Sequence, residues 1–331
     1  MALVHDPQMP TRPHAVGATP LADGRQMGWA AFGDPTGDPV VWFHGTPGGR
    51  CQVPSDIDAE AKARRLRIIG IERPGTGDST LHHYEKVVDF VDDLEIDRFA
   101  AIGLSGGGPF VLAAAARLPE RMTTGIVLGG VGPTRGSDAV FSHTLLLAAA
   151  AGVIEKVRQP IGDAFGALIR AIGPFGKPAI EVFFWLEWGD RRFMAAKPES
   201  KTQLVADLVD AARRGGLRAP LDDLALFGRH WGFELADVRV PITFFGGTSD
   251  VIVPYVHAER QAKRVEGAQL RTVPGTGHFA GWTEVDQVLD VLRQAWPPVR
   301  PAPPGRKAKA TKTTAKATAK TTAKKRALRT G

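Results

Sequence analysis

Short apolar runs, each ended by glycine, punctuate the first 130 residues. Val40–Phe43 runs into His44-Gly45, and Arg67–Ile71 into Glu72-Arg73-Pro74-Gly75. Phe99–Leu104 runs into Ser105-Gly106-Gly107-Gly108, and Thr124–Leu128 into Gly129-Gly130. Runs of this kind, without polar alternation, predict strands buried on both faces, the habit of a parallel sheet. Helical stretches at Ala59–Arg65, Lys86–Leu94 and Pro109–Leu118 separate them. Strands that alternate with helices predict an α/β sheet. The alternation resumes near Pro241, with strands at Ile242–Gly246 and Gln269–Val273 and a helix over Pro254–Val265. A last helix is expected over Thr283–Trp296, where Val285, Val288, Leu289 and Leu292 share one face.

The stretch between these halves reads differently. From about Pro133 to Ala236 it is rich in helix formers and aromatics, among them Phe141, Phe165, Phe183, Trp185, Trp188, Phe193 and Phe227. It is expected to be a helical insertion, so the chain divides into a core of residues 1–132 and 237–296, a cap of 133–236, and a tail of 297–331. The tail opens Pro-Pro-Val-Arg-Pro-Ala-Pro-Pro and continues as Lys/Ala/Thr repeats. It has too little apolar surface to offset its chain entropy and is expected to be disordered.

Charge sharpens that division. The net charge is +7, but from Arg300 onward there are about eleven basic residues and no acids, which leaves the rest slightly acidic. A basic tail on a near-neutral globule suggests salt-dependent binding of nucleic acid or an anionic surface through residues 306–329. No aromatics interleave the charges, so base stacking is not expected. The single cysteine, Cys51, excludes an internal disulfide. Neither a basic leader with an apolar run nor a stretch of the roughly 20 apolar residues needed to span a bilayer is evident, so a cytoplasmic protein is expected.

Candidate chemistry collects where the predicted strands end. Gly103-Leu104-Ser105-Gly106-Gly107 is a G-x-S-x-G pattern lying after a strand and opening a helix. A serine on such a turn stands clear of the sheet, and the Gly106 N–H behind it can face a developing oxyanion. Serine needs a base. His278, in Pro274-Gly275-Thr276-Gly277-His278-Phe279, falls on a loop between the last strand and the last helix, the edge where ligands bind in open α/β sheets. Asp250, after Phe244-Phe245-Gly246-Gly247-Thr248-Ser249, is placed to hold that histidine's tautomer. His44-Gly45-Thr46-Pro47-Gly48-Gly49 offers a second oxyanion donor, the Thr46 N–H, with His44 and Gly45 bracing the loop. Arg73 and Asp78 are expected to order a neighbouring loop. No cluster with metal-ligand spacing and no nucleotide loop is evident, so neither metal nor cofactor is expected.

Together these motifs resemble the α/β-hydrolase superfamily, in its order Ser…Asp…His and over about Gly24–Trp296. The resemblance implies an α/β-hydrolase fold: a mostly parallel sheet with helices on both faces and a helical cap. The loop His44–Gly48 is similar to that of proline-iminopeptidase-like members, which more usually carry a second glycine where Thr46 stands. Members of that branch hold a substrate amine with cap carboxylates, for which Glu181, Glu187 and Asp190 are candidates here. The fold serves many reactions. The expected activity is hydrolysis of a small or medium apolar carboxylic ester through an acyl-enzyme. The alternatives are an aminopeptidase or amidase, and a non-enzymatic role for the basic tail, which resembles the Lys/Ala-rich arms of linker histones.

Overall fold

In the computed structural model, residues 9–172, 188–214 and 218–296 are described. Eight strands form one sheet in the order β1-β2-β4-β3-β5-β6-β7-β8. They are β1 (Ala15–Pro20), β2 (Gln26–Gly33), β3 (Asp38–Phe43), β4 (Leu66–Ile71), β5 (Phe99–Leu104), β6 (Met122–Leu128), β7 (Ile242–Gly247) and β8 (Gln269–Val273). β2 runs antiparallel to both β1 and β4, and every other pairing is parallel. This is the α/β-hydrolase sheet.

The apolar runs become strands because both faces of the sheet are covered. On one face α1 (Ile57–Ala63) and a late helix, α10 (Val285–Ala295), pack against Trp42, Ile68, Ile102 and Ile126. The predicted stripe Val285, Val288, Leu289 and Leu292 is the buried face of α10. On the other face α2 (Val87–Val91), α3 (Gly108–Arg117) and α8 (Val256–Arg264) enclose Phe43, Phe99, Val127 and Phe244. β5 is buried at all six positions. β8 is an edge strand and mostly exposed, in keeping with its single-sided apolar content.

Three features depart from the sequence pattern. The hairpin β1–β2 was not marked by it, because Gln26–Gly33 mixes glycine and alanine with its aromatics and has no clean period. The second helix is shorter than the expected Lys86–Leu94, and runs only from Val87 to Val91. The aromatics between β6 and β7 do not gather: Phe141 is 85% exposed and Trp188 59%, whereas Phe193 and Phe227 are buried.

Among the described residues of that stretch there are four helices: α4 (Leu145–Ile172), α5 (Arg191–Ala196), α6 (Pro198–Arg214) and α7 (Ala219–Phe227). Trp185, Glu181 and Glu187 lie outside the described residues, as does everything beyond Trp296, the basic tail included. Among the described residues no helix is long and apolar enough to cross a membrane.

Sheet order positions the site. β4 lies on one side of β3 and β5 on the other, so the chain reverses its direction of travel between β3 and β5. Loops leaving the carboxyl ends of two such strands diverge and open a crevice. His44 leaves β3 and Ser105 leaves β5 at that point.

Candidate active site

Ser105 begins a single 3-10 turn, Ser105–Gly107, between β5 and α3. Its φ of 54° is left-handed, one of only two such non-glycine residues among those described. A side chain in that region costs on the order of 1–3 kcal/mol, so the surroundings must enforce it. Gly103 and Gly107 show how. A Cβ at Gly103 would sit 2.5 Å from the Gly107 carbonyl oxygen, and one at Gly107 would strike the Phe43 carbonyl. The turn closes only because neither residue has a side chain.

Asp250 follows β7 and His278 follows β8. The His278 Nδ1 lies 2.8 Å from Asp250 Oδ2, both residues being buried. Asp250 Oδ1 accepts the N–H groups of Ile252 and Val253 at 2.9 and 2.8 Å. The carboxylate is thus aimed by its own loop. The two loops are also joined directly: Ser249 N–H donates to the Thr276 carbonyl at 2.9 Å and Gly275 N–H to Thr248 Oγ1 at 2.9 Å. Gly129 and Gly130, at the end of β6, bring this pair up to the serine turn. A Cβ on Gly129 would lie 3.3 Å from His278 Nδ1 and 3.4 Å from Asp250 Oδ2, while one on Gly130 would lie 3.7 Å from the Ser105 carbonyl oxygen. Ser105, Asp250 and His278 therefore share one end of the sheet.

The loop after β3 is the third wall. Gly45 approaches so closely that a Cβ there would lie 3.4 Å from Ser105 Cβ. The Thr46 side chain lies against Gly106, as does the ring of Phe227 from α7, whose edge is 3.1 Å from where a Gly106 Cβ would be. His44 is wholly buried, with Nδ1 2.7 Å from the Gly45 carbonyl and Nε2 accepting the Arg73 N–H at 3.3 Å. A neutral ring protonated on Nδ1 satisfies both. Burial, with the Arg73 charge adding to it, holds the imidazole well below its usual range. Both ring nitrogens of His44 are thus engaged by main-chain groups of neighbouring loops.

Arg73 is the hub of that wall. Its guanidinium donates to the carbonyls of His44 at 2.6 Å and Gly45 at 2.8 Å, to Thr46 Oγ1 at 2.9 Å, and to Asp223 Oδ2 at 2.7 Å. Thr46 Oγ1 in turn donates to Asp223 Oδ2 at 2.7 Å. Asp223 belongs to α7, so the helices after β6 are tied into the loop beside the serine. Burial raises the Asp223 carboxyl, and the arginine opposes that rise.

A second tie comes from α6, and sequence reasoning missed it. Gln203, Asp207, Asp210 and Arg214 recur at helical spacing on one face of α6, where apolar residues would be expected of a buried stripe. Gln203 accepts the Thr11 N–H at 3.0 Å and donates to the Cys51 carbonyl at 2.9 Å. Asp207 accepts the N–H groups of Gly49 and Cys51 at 2.7 and 2.8 Å. Arg214 pairs with Asp210 at 2.9 Å, with Asp78 at 2.8 Å and with buried Glu72. Burial pushes Asp207 up to about 7, against the two N–H donors. Asp78 and Arg73 are thus parts of loop scaffolding, as the sequence suggested.

The third carboxylate missed as a structural element is Asp190. It is fully buried, and both its oxygens lie within 3.2 Å of the Phe279 N–H. As a candidate for holding a substrate amine it is placed differently: it faces the main chain beside His278.

Comparison with known proteins agrees with this architecture. The Alpha/beta hydrolase family model matches residues 40–291. The chain belongs to that family. A proline iminopeptidase of Xylella fastidiosa is 32% identical over 297 residues, covering 78% of this chain and 88% of the relative. An uncharacterised protein of Mycobacterium tuberculosis is 24% identical over 251 residues, 70% of this chain. The match spans 65% of that mycobacterial relative's own length. Among solved structures, the esterase RhEst1 from Rhodococcus sp. ECU1013 superposes with a TM-score of 0.58 at 18% identity, covering 84% of this chain and 98% of its own.

Proposed function

We propose that the protein hydrolyses carboxylic esters with a small or medium apolar acyl group, using Ser105, His278 and Asp250. The His278–Asp250 contact of 2.8 Å, at the same sheet end as a left-handed Ser105, carries the reading. With its Nδ1–H held in a hydrogen bond to Asp250, the ring keeps Nε2 unprotonated to serve the Ser105 hydroxyl. Ser105 Oγ attacks the carbonyl as His278 takes its proton, and the tetrahedral oxyanion rests on the N–H groups of Gly106 and Thr46. His278 then protonates the alcohol, and water, activated by the same base, releases the acid.

The choice of an ester over a peptide is supported by how the acids after β6 are used. An aminopeptidase needs a carboxylate free to meet a substrate ammonium. Among the described residues, Asp190 and Asp207 face backbone N–H groups, Asp210 faces Arg214, Asp222 faces His83 and Arg158, and Asp223 faces Arg73; Glu181 and Glu187 lie outside the described residues. The proline iminopeptidase relative favours the second reading, aminopeptidase activity, and the two part in one assay. Aryl esters of rising acyl length, run beside proline arylamides, should be hydrolysed preferentially, and turnover of the arylamides alone would reverse the assignment. Ser105→Ala should abolish labelling by a fluorophosphonate. A folded Ser105→Ala protein that labels like the wild type would remove Ser105 as nucleophile.

In this reading the helices between β6 and β7 form the cap, and Phe227 is their nearest contribution to the acyl site.

A further inference from the structure

We propose that Asp190 is a positioning residue for His278, a second carboxylate that holds the histidine's main chain and supports its protonated ring from outside the Ser–Asp–His set. The proposal rests on the hydrolase reading for its consequence and on geometry for its substance. Asp190 closes a turn at residues 188–190 and precedes α5, whose Met194 N–H bonds back to the Asp190 carbonyl at 2.9 Å. Gly189 wedges that turn onto both catalytic loops at once. A Cβ on Gly189 would lie 2.6 Å from Gly277 Cα and 2.7 Å from the Ser249 carbonyl oxygen, so only glycine fits. From there the Asp190 carboxylate takes the Phe279 N–H on both oxygens, with the His278 N–H as a further donor. The loop carrying the base is thereby gripped by an element more than eighty residues earlier in the chain.

The electrostatics follow from the same placement. Burial pushes Asp190 up to about 6; His278 opposes the rise and Asp250 adds to it, which places all three groups in one field. Among the described residues, Asp250 on the loop after β7 and Asp190 on the turn before α5 are titratable groups that act on the ring. His257 on α8 also lies in the field of Asp250, but burial holds it down at about 4, so it is neutral in the working range. Above pH 6 the imidazolium formed during the reaction thus faces two carboxylates. One is bonded to its ring. The other is behind its main chain and acts through space, with a force that falls only slowly where water is excluded.

Asp190→Asn separates the two roles, because the amide oxygen can still accept the Phe279 N–H while the charge is gone. The measurements are the NMR titration of the His278 ring and the rate of fluorophosphonate labelling against pH, both on the full chain. In the Asn variant the proton affinity of His278 should fall three- to ten-fold, moving its midpoint down by about half to one pH unit, and the labelling limb should move with it. Should the variant fail to fold, the wild-type ring signal should itself carry a second inflection near pH 6, reporting Asp190. An unshifted midpoint in folded Asp190→Asn, or a single inflection in the wild type where the variant cannot be made, overturns the proposal. Failure of the hydrolase reading has a different signature: the midpoint moves while wild-type Ser105 does not label. That result upholds the action of Asp190 on His278 and removes Ser105 as nucleophile.

Discussion

The two flanks of the site are built from the same material, buried carboxylates, most of them from the stretch between β6 and β7 and one, Asp250, from the loop after β7, and put it to different uses. On the flank of the β3 loop, Asp223 is matched by Arg73 and Asp210 by Arg214. These two charges are neutralised in pairs, while Asp207 on the same flank takes the N–H groups of Gly49 and Cys51, and what remains is a fixed scaffold around His44, Gly45 and Thr46. On the histidine flank, Asp190 and Asp250 take backbone N–H groups, and Asp250 also bonds the His278 imidazole. Charge there is left to be answered by a proton that comes and goes. A carboxylate with a permanent cation supports shape, whereas one with a titrating partner supports chemistry.

The largest test of that contrast is on the scaffold side. Asp223→Ala leaves the Arg73 guanidinium buried without its counter-charge and Thr46 Oγ1 without its acceptor. Removing one partner of a buried pair typically costs about 3–5 kcal/mol. Urea unfolding should show a loss of that size, and a loss under about 1 kcal/mol would mean that water or another group already serves the arginine.

The next effect belongs to the histidine side and depends on pH. A carboxyl raised to about 6 in the folded state stabilises the protein relative to its usual value only while it stays protonated. That contribution is full below the ordinary aspartate range near pH 4 and is lost as pH rises through 6. Asp190→Asn cannot ionise, so its stability relative to wild type should improve between pH 4 and pH 7.5, by up to about 3 kcal/mol. A difference that stays level, or turns the other way, would show that Asp190 bears no ionisation cost in the fold.

The smallest effect concerns selectivity. The Phe227 ring lies against Gly106, and α7 is held by Asp223, so a change at this ring acts on the acyl site without moving the serine turn. Phe227→Leu should shift relative activity toward longer acyl chains, by the about 1–3 kcal/mol that one methylene of pocket is worth. Equal scaling of every ester would place the acyl group elsewhere.

Much of this was legible from one dimension. The strands β3 to β7 announce themselves because burial on both faces leaves no room for polar alternation. Ser105, Asp250 and His278 announce themselves because each follows such a run, and sheet topology sends those ends to one edge. His44 was readable as part of the same edge from the glycine-rich loop that follows its strand. What the sequence did not disclose has a common physical cause. Asp190, Asp207 and Asp223 bond to partners far along the chain, and nothing near them in sequence distinguishes a buried acid from a solvated one. The polar stripe Gln203–Asp207–Asp210–Arg214 was a signal of the right kind, since its period is helical, but on its own it reads as a solvent face. Only the packed loop of residues 49–51 shows which way it points. Likewise Phe141 and Trp188 could not be told from Phe227 until α7 was seen to reach Gly106.

The ties from Asp207 to Gly49 and from Asp223 to Arg73 bridge 158 and 150 residues of chain. Their length has a consequence during synthesis. The segment from His44 to Cys51 leaves the ribosome early, yet the groups that fix its main chain arrive only after about two-thirds of the protein has been made. Contacts of such separation form late, after their loop-closure entropy has been met. A nascent chain stopped before α6 should therefore hold β3 and β5 with their connecting loops still unset. The walls around Ser105 are thus set only once α6 and α7 have been made, and a chain released before that point lacks the ties that hold them.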